Sequence, residues 1–339
     1  MNKYMIRVAI NGFGRIGRNT FKAGWDKKGI KFVAVNDLTD PKSLAYLLKH
    51  DTVYGEWGHR VSSKKDCLVV DGQKVLAFKE RDPKLLPWKK LNIDVVLECT
   101  GIFRTEELAG QHLTAGAKRV IISAPAKGGD INTYMQGVNV VKLKKSEKII
   151  DNASCTTNCI APVAAIVEME WGIKKAFMTT IHAITADQKL VDAPHKDPRR
   201  GRTAPQNIVP TTTGAAVATT RAIPSLRNKF DGMSIRVPIP VVSLADFTFI
   251  LKKKTTVKQV NSHFKKMCKH PLYKGILAVT EEPLVSSDFI GNPHSSIVDI
   301  ALTKVIDGDL LKVISWYDNE WGYSHRLAEM ALEVGKKIK

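Results

Sequence analysis

The chain has 339 residues, of which 44% are hydrophobic and 25% charged, a composition typical of a globular protein with more than one domain. The five scattered cysteines argue against a disulfide framework, and no apolar run approaches the ~20 residues of a membrane span. The net charge of +19 is spread over scattered lysine doublets, so we interpret it as a solvated basic surface rather than a nucleic-acid site. We expect a cytoplasmic protein, since the first residues enter a strand pattern and not a signal peptide.

The first half of the chain predicts a doubly wound parallel sheet. Short apolar strands at 6–10, 31–37, 94–99 and 119–123 alternate with segments that have helical patterns. Strands and helices that alternate in this way form a parallel sheet covered by helices on both faces. We therefore predict an α/β fold with a Rossmann cofactor domain over residues 1–154.

A glycine-rich turn follows the first predicted strand. Gly12, Gly14 and Gly17 open a helix, and Asp37 lies at the end of the next strand. Glycines in this spacing allow a tight turn, close approach of a pyrophosphate and close packing of helix on strand. A carboxylate at the position of Asp37 can hold the ribose hydroxyls of adenosine and repel a 2′-phosphate. The pattern predicts an NAD site, and an unrelated glycine-rich turn is the alternative.

Cys155 lies in a short polar run between a strand-like segment and a helix-like segment. The free N–H groups and the dipole of a helix N-terminus favour the thiolate, the form of cysteine that attacks carbon. The alternative is a buried, unreactive cysteine. Cys159 stands four residues further on, but no second cysteine pair or His-x3-His pattern accompanies it, so we predict no metal site.

Longer strands follow Cys155, as at 175–182 and 234–251, and they predict an α+β catalytic domain over residues 155–317 with a large, mostly antiparallel sheet. His182 ends one of these strands and could act as the base for the thiol. Its spacing from Cys155 alone favours this role no more than an ordinary surface or packing position. Residues 192–212 predict a long ordered loop. An amphipathic C-terminal helix, over 318–339, is expected to return to the first domain.

Polar groups that could bind anions also lie in the second half. Thr211 to Ala216 predicts a hydroxyl-rich turn into a helix, and Arg236 stands within a predicted strand, where a charged side chain needs a specific reason. A structural salt bridge is the alternative for Arg236. Arg199, Arg200 and Arg202 lie in the long loop, where a solvated charge run is the alternative.

Three segments resemble glyceraldehyde-3-phosphate dehydrogenase of the phosphorylating, glycolytic type. They are Asn11-Gly-Phe-Gly-Arg-Ile-Gly-Arg18, Ala153-Ser-Cys-Thr-Thr-Asn-Cys159 and Trp316-Tyr-Asp-Asn-Glu-Trp-Gly-Tyr323, and they stand in the family's order with ordinary spacings. The resemblance covers essentially the whole chain. It implies NAD-dependent conversion of glyceraldehyde 3-phosphate and inorganic phosphate to 1,3-bisphosphoglycerate, carried out by a homotetramer with no membrane partner.

The resemblance also implies a role for each candidate residue. Cys155 would form a hemithioacetal and then a thioester, while His182 would lower the thiol pKa, accept the proton and help to bind the oxyanion. The substrate phosphate would lie near Thr185 and Arg236. The attacking phosphate would lie near Ser154, Thr156, Thr213 and Gly214, with Arg199 or Arg200 close by. Besides Gly12, Gly14, Gly17 and Asp37, the implied cofactor residues are Asn11, Arg15, Ile16, Arg81, Thr100, Ser123 and Asn319.

Some positions depart from the family's commoner pattern. Ile184 and Ala186 stand where many relatives carry an aromatic residue and an asparagine, and Val242 replaces a frequent asparagine. Two other functions stay open. Erythrose-4-phosphate dehydrogenase shares the same Cys/His chemistry, whereas a basic, cofactor-binding nucleic-acid partner would leave Cys155 and His182 idle. A structural tetramer with a dead site would not explain why all three motifs are intact.

Overall fold

The computed structural model describes residues 5–338, which divide into two compact units. The first unit contains the described residues up to Met135, the segment Asn139–Ala153 and the described residues from Ser324 onward. The second unit contains Gln136–Val138 and Ser154–Tyr323. Among residues 5–338, no helix combines the length and the apolar character that crossing a bilayer requires.

The first unit is built on a nine-stranded sheet. Its strands and helices are, in chain order, β1 (Ile6–Asn11), α1 (Arg15–Trp25), β2 (Ile30–Asn36), α2 (Pro41–Lys49), β3 (His50–Asp51), β4 (Gly55–Glu56), β5 (Val61–Lys64), β6 (Cys67–Val70), β7 (Gln73–Phe78), β8 (Val95–Glu98), α3 (Glu106–Thr114), β9 (Arg119–Ile122), β10 (Asn132–Thr133) and β11 (Ile149–Asp151). The strand order is β10-β11-β9-β8-β1-β2-β7-β6-β5, and β3 and β4 form a separate pair.

This sheet is parallel from β10 to β7, and only β6 and β5 add antiparallel pairings at one edge. The chain leaves β1 for β2 on one side and later returns to β8 on the other, so the winding reverses between β1 and β8. Val8, Ala9 and Ile10 have no exposed surface, as expected for a central strand covered on both faces. The predicted doubly wound fold is confirmed, and ligands of such sheets bind where the winding reverses, beyond the carboxyl ends of the strands.

The second unit is built on an eight-stranded, mostly antiparallel sheet, as predicted. Its elements are α4 (Cys155–Glu170), β12 (Ile173–Ala183), β13 (Val209–Thr212), α5 (Ala215–Ala222), β14 (Phe230–Val237), β15 (Ser243–Leu251), α6 (Val257–Cys268), β16 (Leu277–Thr280), β17 (Ser296–Asp299), β18 (Lys304–Ile306) and β19 (Leu310–Tyr317), and α7 (Trp321–Lys336) follows. The sheet order is β13-β14-β12-β15-β19-β17-β16, with β18 paired to β19. Only β12–β14 and β16–β17 are parallel pairs.

One face of this sheet is buried under α4. Alternate residues of β15, among them Phe247 and Phe249, have no exposed surface and share a core with Ile160, Val163 and Val167 of the helix. Burying a large apolar side chain contributes about 1.5–3 kcal/mol, so this core holds α4 firmly against the strands. The beginning of α4 is thereby fixed relative to the end of β12.

The long loop predicted over 192–212 ends earlier than expected, because residues 209–212 form the edge strand β13. A proline at position 210 weakened the strand pattern, but edge strands tolerate a residue without an N–H donor. The remainder of the loop is ordered by side-chain hydrogen bonds to its own backbone. Asp192 accepts from the Thr203 backbone N–H at 2.9 Å, and Asp197 accepts from the Arg199 backbone N–H at 3.0 Å.

Candidate active site

A cavity of ≈ 450 Å³ opens in the first unit where the winding of the sheet reverses. Gly12 has φ +89°, and a Cβ there would lie 2.7 Å from the Thr100 backbone nitrogen. A Cβ at Gly17 would lie 2.1 Å from the Gly12 carbonyl oxygen, whereas a Cβ at Gly14 would meet nothing within 4 Å. The first and third glycines are therefore required by backbone packing, and the second leaves the cavity open to a ligand. The lining residues are Asn11, Gly12, Gly14, Asn36, Asp37, Leu38, Glu80, Arg81, Cys99, Thr100, Ile102 and Phe103.

Asp37 is held at this cavity by the glycine-rich turn. One carboxylate oxygen accepts the Phe13 backbone N–H at 2.8 Å, and the other accepts the Thr39 backbone N–H at 3.0 Å. A carboxylate oxygen has more than one acceptor position, so both oxygens can also accept hydroxyl donors from a ligand. The Asp37 carboxylate therefore keeps acceptor positions available at this cavity.

Glu98 is a buried carboxylate beneath the same cavity that sequence reasoning missed. It accepts from the Asn11 side-chain amide at 2.6 Å and from the Thr100 backbone N–H at 2.8 Å, and it lies 3.1 Å from His112 Nε2. Because the Trp88 indole N–H can only donate, and it lies 3.1 Å from His112 Nδ1, the imidazole is neutral and donates through Nε2 to Glu98. A charge inside an otherwise apolar strand was the available signal for Glu98.

Only some of the other predicted cofactor residues line this cavity. Arg81 and Thr100 line the cavity, but Arg15 forms an ion pair of 2.6 Å with Asp51 and lies over the Tyr54 ring. Ile16 and Gly17 belong to α1, Ser123 follows β9, and Asn319 belongs to the second unit. Asn319 Oδ1 accepts from the Ser243 hydroxyl at 2.9 Å.

In the second unit, α4 begins at Cys155. Ser154 is the N-cap, and its hydroxyl accepts the Thr157 backbone N–H at 3.1 Å, which accounts for one of the free donors of the first turn. The preceding residue, Ala153, has φ +56°, a left-handed backbone conformation that is uncommon for a residue other than glycine. The strand-to-helix position predicted for the thiol is the one observed.

Cys155 and His182 lie side by side. The thiol sulfur is 3.6 Å from His182 Nε2, and α4 and the end of β12 supply the two side chains. Burial raises the pKa of the Cys155 thiol above its ordinary value, although Arg236 and the N–H groups of the first helical turn act to lower it. Burial, and then the positive charge of Arg236, lowers the pKa of His182 to about 3. Both groups are therefore neutral at pH 7, and the thiol pKa is shifted opposite to the direction that the sequence predicts.

Arg236 is the direct neighbour of His182 across the parallel strands β14 and β12. Its Nη1 lies 2.8 Å from His182 Nδ1 and 3.3 Å from the Ala183 carbonyl oxygen, and that oxygen is itself 2.7 Å from His182 Nδ1. Among residues 5–338, no partner reaches the buried Nε of Arg236. The guanidinium makes no salt bridge to the described residues, and its contacts at this centre are the hydrogen-bond distances to His182 and Ala183.

Tyr317 was not predicted as a site residue, although it stands in one of the three family-like segments. Its hydroxyl lies 2.9 Å from Thr156 Oγ1 and 2.8 Å from Thr180 Oγ1, and its ring meets that of His182 edge to face with a centroid distance of 6.1 Å. Burial raises the pKa of Tyr317, so the phenol remains protonated. Tyr317 therefore fixes both the imidazole ring and the first turn of α4.

Arg200 brings further positive charge to this centre. It donates to Asp187 at 2.7 Å, to the Thr211 hydroxyl at 2.9 Å and to the Thr212 carbonyl at 3.0 Å. Its charge helps to lower the pKa values of His182 and Arg236, after the larger effect of burial. Among residues 5–338, Arg199 makes backbone hydrogen bonds to Asp197 and Arg202, whereas Arg200 acts through its side chain, so Arg200 is the better candidate of the two.

The hydroxyl-rich turn and Thr185 occupy the neighbouring loops. Gly214 is the N-cap of α5, and the Thr213 hydroxyl accepts the Ala215 backbone N–H at 3.2 Å. Thr185 follows β12, and its backbone N–H donates to Gln188 Oε1 at 3.3 Å. Of the departures from the family pattern, Val242 is fully buried with φ +69°, a conformation that an asparagine tolerates more easily than a β-branched residue.

A doubly wound unit with a glycine-rich turn, followed by an α+β unit that pairs a cysteine with a histidine, defines a nucleotide-dependent oxidoreductase. Residues 6–106 match the model of the glyceraldehyde 3-phosphate dehydrogenase NAD binding domain, and residues 154–319 match that of the glyceraldehyde 3-phosphate dehydrogenase C-terminal domain. The chain belongs to the glyceraldehyde-3-phosphate dehydrogenase family, and its cofactor is NAD.

Relatives from several bacteria match nearly the whole chain. The chain is similar to the glyceraldehyde-3-phosphate dehydrogenase of Geobacillus stearothermophilus, with 50% identity over 98% of this chain and 99% of the relative. It is also 48% identical to that of Zymomonas mobilis and 52% identical to that of Mycolicibacterium smegmatis, in each case over 98% of this chain and 99% of the relative. These comparisons confirm the family that the three sequence segments indicated.

Proposed function

We propose that this chain oxidises glyceraldehyde 3-phosphate to 1,3-bisphosphoglycerate in glycolysis and gluconeogenesis, with NAD and inorganic phosphate, as a cytoplasmic homotetramer. The observation that carries the proposal is the contact of 3.6 Å between Cys155 and His182, with the guanidinium of Arg236 2.8 Å from the same imidazole. The names of the relatives support the same reaction. In this proposal residues 1–154 form the cofactor domain, residues 155–317 the catalytic domain and residues 318–339 a helix that returns to the first.

The proposed chemistry divides the oxidation into two steps on Cys155. The thiol sulfur adds to the aldehyde carbon, and the resulting hemithioacetal carries a hydroxyl whose proton His182 Nε2 accepts. Bound NAD would supply the acceptor for the hydride that leaves the hemithioacetal carbon, and loss of this hydride and of the hydroxyl proton would give a thioester on Cys155. Inorganic phosphate then attacks the thioester carbon, and the acyl phosphate leaves as the sulfur regains a proton.

The residues around the cavity of the first unit fit NAD. The open side of Gly14 admits a pyrophosphate, and Asp37 accepts from a ribose diol. We propose that Asn11, Arg81 and Thr100 line the bound dinucleotide, with Glu98 holding two of them in place. Gly12 and Gly17 shape the turn, Arg15, Ile16 and Ser123 remain proposed cofactor residues, and Asn319 is proposed to orient the nicotinamide carboxamide.

Two anion positions are proposed in the second unit. The phosphate of the substrate would be bound by Arg236 and Thr185, and inorganic phosphate would be bound by the group made of Ser154, Thr156, Arg200, Thr213 and Gly214. The effect of Arg200 on the pKa values of both His182 and Arg236 supports a common electrostatic field for these positions. Clusters of positive charge of this kind raise the local concentration of anionic substrates.

An exposed apolar face of the second unit, formed by strand residues and by α5, supports assembly into an oligomer. Phe177 and Val217 are 47% and 54% exposed, and together with Ile250 they line an open cavity of ≈ 870 Å³ in this unit. Exposed apolar patches of this kind on globular proteins mark interaction surfaces. We propose that other subunits of the homotetramer cover this face and the loop that begins near Val191.

The proposed reaction is tested by following NADH absorbance with glyceraldehyde 3-phosphate and NAD. We expect turnover that requires inorganic phosphate, and a much lower kcat/KM with erythrose 4-phosphate. Equal or higher kcat/KM with erythrose 4-phosphate would instead favour the erythrose-4-phosphate enzyme. Salt-dependent RNA binding without any NADH formation would favour the nucleic-acid partner.

Arg236→Leu tests the proposed position of the substrate phosphate. Loss of a hydrogen bond to a charged group costs about 1.5–3 kcal/mol, so we expect kcat/KM for glyceraldehyde 3-phosphate to fall about 10- to 100-fold. Binding of the remote phosphate positions the aldehyde over Cys155, so unphosphorylated glyceraldehyde should lose little. Steady-state kinetics measure kcat/KM for both aldehydes, and a melting curve measures the thermal stability of the variant. An equal proportional loss for both aldehydes would assign Arg236 a purely structural role.

Asp37→Ala tests the preference for NAD over NADP. In the parent protein the carboxylate accepts from a ribose diol and repels a 2′-phosphate, so kcat/KM should be higher with NAD. The substitution should lower kcat/KM with NAD and narrow the ratio between the two cofactors. Leu38, the next residue, provides no small polar side chain for a 2′-phosphate and so favours NAD as well. A kcat/KM with NADP that equals or exceeds the kcat/KM with NAD in the parent protein would contradict the hypothesis.

A further inference from the structure

We propose that Glu98 is a positioning residue for NAD, which acts through the side chains that line the cavity of the first unit. Its buried carboxylate is the common acceptor of a hydrogen-bond chain that crosses the carboxyl ends of neighbouring strands. The inference deepens the proposed function, because it rests on the proposed binding of NAD in this cavity. It makes the affinity for NAD depend on a group that is only 1% exposed.

The hydrogen-bond chain joins residues at the ends of three adjacent strands. Glu98 ends β8, Asn11 ends β1 and Asn36 ends β2, and the sheet places these strands side by side in that order. The Asn11 side-chain nitrogen donates to Glu98 at 2.6 Å, and the Asn36 side-chain nitrogen donates to the Asn11 side-chain oxygen at 2.7 Å. Asn36 then pairs with the backbone of Glu80, which follows β7, at 2.8 and 2.9 Å. Asn11, Asn36 and Glu80 all line the cavity, so this chain connects its lining residues to one another.

Both ends of this chain require the same direction for every hydrogen bond. An ionised carboxylate only accepts, so the Asn11 amide turns its nitrogen to Glu98 and its oxygen to Asn36. At the far end, the Asn36 oxygen accepts the Glu80 backbone N–H, which leaves the Asn36 nitrogen to donate to Asn11. A reversed amide at either asparagine would place two donors or two acceptors in contact. The orientation of this polar lining is therefore fixed before a cofactor binds.

Glu98 also holds a second part of the cavity lining through Thr100. The Thr100 backbone N–H donates to the carboxylate at 2.8 Å, and the Thr100 hydroxyl donates to the same oxygen. The hydroxyl in turn accepts the Ile102 backbone N–H at 3.0 Å. The Thr100 backbone nitrogen is also the atom that a Cβ at Gly12 would approach to 2.7 Å. Glu98 thus fixes the segment after β8 against the glycine-rich turn.

His112 and Trp88 hold the carboxylate from the core, where neither has any exposed surface. The Trp88 indole N–H donates to His112 Nδ1 at 3.1 Å, so the ring donates through Nε2, which lies 3.1 Å from Glu98. The carboxylate therefore accepts from four donors, which are the Asn11 amide, the backbone N–H and hydroxyl of Thr100, and His112 Nε2. A buried polar network that is satisfied in this way is rigid, and a rigid cavity loses less entropy when it binds a ligand.

Asp94 provides a matched control at the other end of β8. It immediately precedes this strand, has no exposed surface, and accepts from the Arg7 backbone N–H at 2.9 Å and from Lys118 Nζ at 2.7 Å. It does not belong to the residues that line the cavity. Asp94→Asn therefore disturbs a second buried carboxylate of the same strand region without disturbing the lining.

Glu98→Gln is the first test, measured as the Kd for NAD by titration calorimetry and as KM and kcat by steady-state kinetics. Glutamine keeps the shape of the side chain but carries a donor in place of one oxygen, and this donor faces a donor of either Thr100 or Asn11. An unsatisfied buried group changes an equilibrium constant about 5- to 100-fold, so we expect the Kd for NAD to rise by that factor. The loss should appear in the KM for NAD rather than in kcat. Asp94→Asn should lower the melting temperature but keep the Kd of the parent protein.

The double variant Asn11→Asp/Glu98→Gln moves the carboxylate by one place along the hydrogen-bond chain. The new amide nitrogen can donate to the new carboxylate, its oxygen can accept from Thr100, and Asn36 keeps its acceptor. His112 Nε2 lies 3.4 Å from the Asn11 side-chain nitrogen, so it can donate to the oxygen that replaces this nitrogen. We expect the double variant to bind NAD more tightly than Glu98→Gln. Asn11→Asp alone brings two carboxylates into contact and should bind NAD most weakly of the three.

Trp88→Phe tests the network from the core, should Glu98→Gln fold poorly. Phenylalanine keeps the aromatic packing but removes the N–H that holds His112 in the state that donates to Glu98. Trp88 is not among the residues that line the cavity, so a change in NAD affinity would pass through His112 and Glu98. We expect the Kd for NAD to rise about 2- to 10-fold, the factor for one lost hydrogen bond.

The positioning role and the proposed function can fail separately. A parent-like Kd for NAD in Glu98→Gln, an equal rise of Kd in Asp94→Asn, or a double variant that binds no better than Glu98→Gln would overturn the positioning role. These results would leave the reaction in place as long as glyceraldehyde 3-phosphate still yields phosphate-dependent NADH. Absence of that turnover in the parent protein would overturn the proposed function, whatever the NAD affinities of the variants.

Discussion

Cys155→Ser should lose about four orders of magnitude or more of kcat/KM for glyceraldehyde 3-phosphate while still binding NAD. A serine hydroxyl ionises far less readily than a thiol, and burial lowers the pKa of His182 to about 3, so this imidazole is too weak a base to offset the difference. The N-cap of α4 is Ser154, so the helix and its first turn should survive the substitution. Steady-state kinetics, together with NAD binding measured by fluorescence titration, separate lost chemistry from lost structure.

Chemical labelling provides the control for this result. One equivalent of iodoacetate should modify Cys155 first and stop turnover, since the positive charges of Arg200 and Arg236 attract the reagent's carboxylate. Cys268→Ser is the matched variant, because Cys268 is partly exposed and lies at the end of α6, and it should retain full activity. Preferential labelling of Cys67 or Cys268 with activity retained would contradict the assignment of Cys155 as the nucleophile.

His182→Asn should lower kcat about 10²- to 10⁴-fold, the contribution of a positioned general base. Asparagine keeps a polar group at the end of β12 but has no nitrogen that can take the proton of the thiol or of the hemithioacetal. Alkylation of Cys155 by iodoacetamide should slow down in the same variant. Turnover and alkylation rates measured between pH 6 and pH 9 make the comparison with the parent protein.

The same variant should lose less stability in acid than the parent protein. Burial lowers the pKa of His182 to about 3, against an ordinary value of about 6.5 in an unfolded chain. Between these values the unfolded chain binds a proton that the folded protein does not, so the free energy of unfolding falls as the pH falls through this window. Asparagine removes this contribution. Urea unfolding at pH 7 and at pH 4 measures the difference.

His263→Asn is the control for the activity measurement. His263 lies on α6, with its ring 5.2 Å from that of Trp171, and Glu170 lies 3.8 Å from its Nδ1. Its substitution should leave kcat unchanged. An activity loss as large as that of His182→Asn would show that the effect reflects general destabilisation, and an unchanged acid sensitivity in His182→Asn would contradict the buried, neutral imidazole.

The cofactor unit could be predicted closely from the amino-acid sequence because its signals are local. Gly12, Gly14 and Gly17 act within a single turn, and the backbone geometry that requires a missing Cβ depends on neighbours close along the chain or on the adjacent strand. The parallel sheet was predictable for the same reason, because its signal is the alternation of strands and helices along consecutive segments of the chain. The position of Cys155 at the start of α4 was equally readable, since a strand, a short polar run and an apolar helix follow one another directly.

Contacts between segments that lie far apart in the chain could not be predicted from the sequence in this way. Arg236 and His182 are neighbours only because β14 and β12 pair in parallel with one particular register, and strand patterns do not define register between segments that lie far apart in sequence. Glu98, His112 and Trp88 come from three separate segments, and Tyr317 reaches Thr156 across the second unit. Each of these partners is polar and buried, so only the folded arrangement shows what satisfies it.

The residue types and their order along the chain were enough to indicate the family and the cofactor and to predict a nucleophile, because a motif carries its chemistry in consecutive residues. The pKa values of Cys155 and His182, in contrast, are set by the tertiary structure. The helix N-terminus predicts a thiol of lowered pKa, yet the desolvation of Cys155 and His182 by everything packed around them outweighs this local effect. Residues of α4, β12, β14 and β19 together bury these two side chains. The sequence of any one of these segments therefore does not reveal how strongly the side chains are desolvated.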